Sequence, residues 1–163
     1  MRRSDELRAD EGAEAEWPDL AHLSMGEQLL IWALRMRLLR GPGGPVRGFH
    51  LAFGLSGVET ALASFEAVFG LLQRHCLCNF GMHAPRCRCV SPDEMTVASV
   101  IAAFQAGAPL HARAMAARLI DASVIDGFLG HARDLAVSLK AQRLYLPVRS
   151  LVGWGSSQSH SVH

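Results

Sequence analysis

A single lysine, Lys140, serves the whole chain of 163 residues, and only 19% of its residues are charged. With no lysine after a glycine-rich turn, a phosphate-cradling loop is excluded. Neither a His-Glu-x-x-His helix nor a Gly-x-Ser-x-Gly elbow occurs, so the familiar zinc-hydrolase and serine-hydrolase templates fail and no catalytic residue is assigned. Long apolar runs are missing too. Arg35 and Arg37 interrupt the richest stretch, and Glu59 and Glu66 the next, so neither reaches the ~18 residues of a membrane span. The opening MRRSDELRADEGAEAEWPD lacks the apolar stretch of a signal peptide, and Arg2-Arg3 has no apolar run behind it. These absences lead us to expect a soluble, cytoplasmic protein.

Half of the residues are hydrophobic, enough for a real core in one domain of this length. The net charge of +1 conceals an asymmetry: residues 1–19 carry three Arg against seven Asp and Glu, and the remainder has a small, dispersed basic excess. That excess is too weak to predict nucleic-acid binding. Trp17, Trp32 and Trp154 are far apart in sequence and offer no evident stacking platform for bases. Residues 1–19 read as an acidic disordered tail, 20–149 as a helical bundle, and 150–163 as a disordered tail rich in Gly, Ser and His.

Alternation of the β type is absent before residue 144, and the apolar spacing is helical. Ser24-x-x-Glu27 is a capping box that opens a helix running to about Arg40, where Gly41-Pro42-Gly43-Gly44-Pro45 stops it. Leu29, Trp32 and Met36 line one side of this helix and Leu30, Ile31 and Leu34 the other, which predicts burial between neighbours or in a subunit interface. A second helix is expected from about Phe49 to Arg74. Its seam, Leu51, Leu55, Val58, Leu62, Phe65, Phe69 and Leu72, suits a bundle core helix or a homodimer contact. Ser91-Pro92-Asp93-Glu94 starts a third helix, to about Ala106, with Val97, Ile101 and Phe104 inward. A fourth is expected over about Pro109–Asp121 and a fifth over about Ser123–Arg143, followed by an extended Leu144–Val148. The expected fold class is therefore all-α: a single-domain bundle of about five helices, with a long Cys-rich connection between helices two and three.

That connection holds every cysteine of the chain. Cys76-Leu77-Cys78 and Cys87-Arg88-Cys89 are two Cys-x-Cys pairs within fourteen residues, with His75 and His83 beside and between them. In a reducing compartment such clustering points to metal or redox chemistry more than to structural disulfides. Four thiolates in a tetrahedron suit zinc, and a metal would tie together a connection of about sixteen residues. Cys76, Cys78, Cys87 and Cys89 are the expected zinc ligands, with His75 or His83 as possible substitutes. One intervening residue is a tighter bite than the usual zinc spacing, and the pattern matches no familiar iron–sulfur run. Copper(I) tolerates such thiols as well. Arg74, Arg86 and Arg88 supply positive charge, and no Asp or Glu lies between Glu66 and Asp93, a field that favours thiolate over thiol. The alternatives are a thiol–disulfide switch between or within the pairs, or incidental cysteines in a structural subunit.

Other candidates have simpler readings. His111 and His131 are expected on polar helix faces, Asp93 and Glu94 at a helix start that favours negative charge, and Asp121 and Asp126 at a turn. The segment CRCVSPDE (Cys87–Glu94), with the Ala-rich helices and LYLPV after it, resembles an uncharacterised group of small bacterial helical proteins over residues 24–149. The extra pair Cys76/Cys78 departs from that pattern. The resemblance implies a helical fold and no activity, ligand or catalytic residue. Regulation or interaction with a protein partner or a second copy is the role these features suggest.

Overall fold

The computed structural model of the chain describes residues 18–41 and 53–150. It is all-α. The α-helices are α1 (Met25–Arg40), α2 (Leu62–His75), α3 (Pro92–Gln105), α4 (Pro109–Ala116) and α5 (Ile125–Ala141), with short 3-10 turns at Leu20–His22 and Glu59–Ala61. Among the described residues there is no β-sheet, only two isolated antiparallel bridges, Asp19 to Cys89 and Cys76 to Ile120. Apart from Pro18, Asp19 and Ser150, the two expected tails lie outside the described residues.

Both anticipated capping boxes form. Glu27 N–H donates to Ser24 Oγ while Ser24 N–H donates to the Glu27 carboxylate, and Ser91 and Glu94 do the same at α3. α3 is the central helix and packs on α1, α4 and α5, while α2 packs on α5. Its residues are buried almost all round, from Glu94 through Ala103. Small side chains allow this enclosure, because Ala98, Ala102 and Ala103 let neighbouring helices approach. Its buried hydroxyls are satisfied internally: Thr96 Oγ1 donates to Pro92 O and Ser99 Oγ to Met95 O, both at 2.8 Å.

The enclosed helix is thus α3 and not α1. α1 buries Leu30, Ile31, Ala33 and Leu34 and leaves Met25, Leu38 and Leu39 exposed, Leu39 to 68%. Helix two is also shorter than its apolar spacing suggests. A helical turn at residues 53–55 ends at Ser56-Gly57, and α2 proper begins only at Leu62. Gly57 has φ +72°, and a Cβ there would lie 2.6 Å from Gln142 Oε1, so a side chain meets both strain and a clash. The expected seam is buried from Val58 onward, whereas Leu55 is 81% exposed and Leu51 lies outside the described residues. The buried part packs in the chain's own core, where Phe65 meets Phe53 and Phe69 at ring-centroid distances of 5.6 and 6.3 Å.

α4 ends at Ala116 and not near Asp121. Tight i to i−3 bonds at Arg118 and Leu119 close the helix, and Ile120 turns out to pair with Cys76. Leu144–Val148 is extended as expected and straps the bundle. Gln105 Nε2 donates to Leu144 O (3.1 Å) and Ala136 O (3.3 Å), and its Oε1 accepts from Leu146 N–H at 2.8 Å. Arg149 then grips the buried Glu27 with two bonds of 2.6 and 3.0 Å.

Candidate thiol centre

The connection from Cys76 to Ser91 crosses α1 and the start of α3. At its beginning, Cys76 is extended (φ −64°, ψ 137°), which ends α2 and puts residues 76 and 78 on one side of the chain. This stretch is pinned to the segment after α4: Leu77 N–H donates to Leu119 O (2.9 Å) and Asp121 N–H to His75 O (3.0 Å). The far end is pinned elsewhere. Leu20 N–H donates to Arg88 O at 2.7 Å, and the Arg88 guanidinium meets the Asp19 carboxylate at 3.0 Å. The two Cys-x-Cys pairs are therefore anchored on different parts of the fold.

Between these anchors lies a buried clamp. The Arg35 and Glu94 side chains are both 0% exposed and joined in a two-bond ion pair, Nε to Oε1 at 2.6 Å and Nη2 to Oε2 at 2.8 Å. Arg35 also donates to Cys87 O and Cys89 O, each at 2.6 Å, with a longer contact of 3.4 Å to Ala84 O. Every N–H of the guanidinium thus has an acceptor. Glu94 in turn accepts from Ser91 N–H at 2.8 Å, and the neighbouring Asp93 accepts from Gly81 N–H at 2.7 Å. One arginine on α1 and two acids opening α3 hold the backbone of the connection from inside. Capping alone does not exhaust the role of Glu94. Its partner Arg35 was hidden in the sequence as an interruption of an apolar run. The available signal was a lone cation at helical spacing from Ile31, on the side that is buried.

The four cysteines are free thiols, Cys76 and Cys87 half-buried and Cys78 and Cys89 exposed. Within each pair the two thiols interact directly, Cys78 with Cys76 and Cys89 with Cys87. No group of three or more His, Cys, Asp and Glu side chains able to hold a metal forms among the described residues. His75 sits close to Asp121, and His83 is exposed. The expected thiolate-favouring field is not what Cys78 and Cys89 experience. Partial burial pushes Cys78 up, and negative charge on Cys76 and Asp93 adds to it. The hydrogen bond and charge of Cys87 push Cys89 up, with smaller effects of burial and Asp19. Only the thiolate is alkylated quickly. Peptide-resolved iodoacetamide labelling of the folded protein should therefore give Cys78 and Cys89 reaction midpoints above the ordinary thiol value of 9.0.

No family model, curated protein or solved structure matches the chain. Function must therefore be argued from the residues themselves. No helix among the described residues is long and apolar enough to cross a membrane. A groove of about 800 Å³ opens beside the first pair, lined by Leu38, Phe69, Leu72, Cys76, Cys78 and Met82 among others.

Proposed function

We propose that the protein is a thiol switch of the cytoplasm, a helical scaffold whose Cys-x-Cys pairs act as two separate dithiols and regulate contact with a protein partner. The observation that carries this reading is pairwise proximity: each thiol touches its own pair-mate, while the pairs hang from different anchors. The oxidant is a low-molecular-weight disulfide. One cysteine thiolate attacks it, forming a mixed disulfide and releasing one thiol. The pair-mate then displaces the second thiol and closes the internal disulfide, so two protons and two electrons leave the pair. Closure requires the two Cβ atoms to come within roughly 3.5–4.5 Å. At Cys87/Cys89 that movement drags the carbonyls held by Arg35, so oxidation of this pair loosens the clamp. Cys76/Cys78 closes without touching it. Leu38, Leu39 and Leu77, all exposed, are the apolar surface nearest to hand for a partner.

A zinc ion shared by all four cysteines is the second reading, favoured by their confinement to one short connection. It requires the pairs to leave their anchors and meet in one tetrahedron. One experiment separates the two. Protein purified without added zinc is assayed for metal, then treated with oxidised glutathione and mapped by peptide mass. The switch reading expects less than a tenth of an equivalent of zinc, a Cys76–Cys78 disulfide and retained helicity. About one equivalent of zinc, ejected with loss of helicity on oxidation, supports the zinc reading instead. Disulfides joining one pair to the other would overturn the separate-dithiol reading.

A further inference from the structure

The two pairs differ in their surroundings. Cys76 and Cys78 line the groove at the end of α2, and Met82 lines the same groove, so two thiols and a thioether share one partly apolar space. The other lining residues are apolar side chains together with Gln73, Arg74 and Asn79, with no carboxylate among them. Thiolate and thioether donors select soft cations, and hard cations such as magnesium and calcium need oxygen ligands that this lining does not supply. Zinc prefers four nitrogen, thiolate or carboxylate ligands and finds only two such groups on this wall. Copper(I) uses both thiolate and thioether sulfur.

We propose that Cys76, Cys78 and Met82 form a copper(I) site in this groove, with two thiolates and one thioether as ligands. The proposal rests on the reading of Cys76/Cys78 as a dithiol independent of Cys87/Cys89. Binding displaces two thiol protons and changes no oxidation state. The complex of one copper(I) and two thiolates carries one negative charge, which Arg74 on the groove wall offsets. A bound copper ion also blocks disulfide closure of this pair, so metal and oxidant compete for the same sulfurs.

The test uses the reduced full chain under anaerobic conditions, titrated with copper(I) bicinchoninate. One equivalent should pass from the chelator to the protein and survive in the Cys87→Ser/Cys89→Ser variant. Cys76→Ser/Cys78→Ser should abolish transfer, and Met82→Leu should weaken it by about tenfold or more. Circular dichroism establishes that each variant is folded. Transfer that fails in the wild type, depends equally on Cys87 and Cys89, or is unchanged in Met82→Leu overturns the site. Oxidised glutathione run on Met82→Leu keeps the two ideas apart. Intact Cys76–Cys78 closure without copper uptake by the wild type removes the copper site alone, whereas absent closure removes the switch.

Discussion

Glu94→Ala should lower the stability of the folded chain by about 3–5 kcal/mol, because it strands a buried guanidinium. Arg35 is fully enclosed, and its strongest partner is the Glu94 carboxylate at 2.6 and 2.8 Å. Without it, two carbonyls of the cysteine connection are left to balance a full positive charge in a site closed to water. The same change removes the carboxylate that accepts from Ser91 N–H, so α3 loses half of its capping box. Chemical denaturation with urea reads the loss directly. Because the cost comes from an unpaired charge, Arg35→Met combined with Glu94→Leu should recover part of it, even though the pair itself is gone. If Glu94→Ala unfolds within 0.5 kcal/mol of the wild type, the clamp is not what holds the connection.

Phe65→Ala carries the second largest expected effect, again about 3–5 kcal/mol, from a different cause. Phe65 is wholly buried and stacks between Phe53 and Phe69, at the join between the helical turn at residues 53–55 and α2. Truncation opens a cavity that the surrounding helices close only in part, and it removes the aromatic contact that seats Phe53. A urea melt should show a lowered midpoint. Glutathione mapping under native conditions should still give the Cys76–Cys78 disulfide, since the clamp and both anchors of the connection lie elsewhere. Loss of selective closure in this variant, at temperatures where it is folded, would tie the thiol chemistry to global stability instead.

Much of the fold was legible because local chemistry and tertiary packing agree there. Two capping boxes, the proline at the start of α3 and the spacing of Ile125, Phe128, Ala132, Leu135 and Leu139 each name an element that the structure contains. The errors arise where periodicity is blind. The spacing of Leu55, Val58 and Leu62 runs through the Gly57 turn as smoothly as through a helix, so only the positive φ and the approach of Gln142 reveal the break. Leu119 and Ile120 satisfy a helical pattern, yet they bury their side chains while their backbone receives the cysteine connection. The central position of α3 was hidden because alanine and serine score weakly as core residues, although small volume is what lets three helices crowd around them.

The site was half legible. Clustering located the four cysteines, and the extended Cys-x-Cys backbone explains why each pair stays together. What sequence spacing cannot express is a long-range ion pair. Arg35 and Glu94 are separated by 59 positions, and each had a sufficient local role, one as a helix charge and the other as a cap. Their pairing removes the need for a metal to organise the connection, although a metal can still bind its sulfurs.

Amide hydrogen exchange on the variant with all four cysteines changed to Ser tests that central claim most directly. The account predicts that Leu77, Gly81, Cys87→Ser and Ser91 keep wild-type protection of their N–H groups, which bond to Leu119, Asp93, Ala84 and Glu94. Protection that collapses in this variant while α1, α3 and α5 stay protected would mean that the sulfurs, and not Arg35 and Glu94, hold the connection in shape.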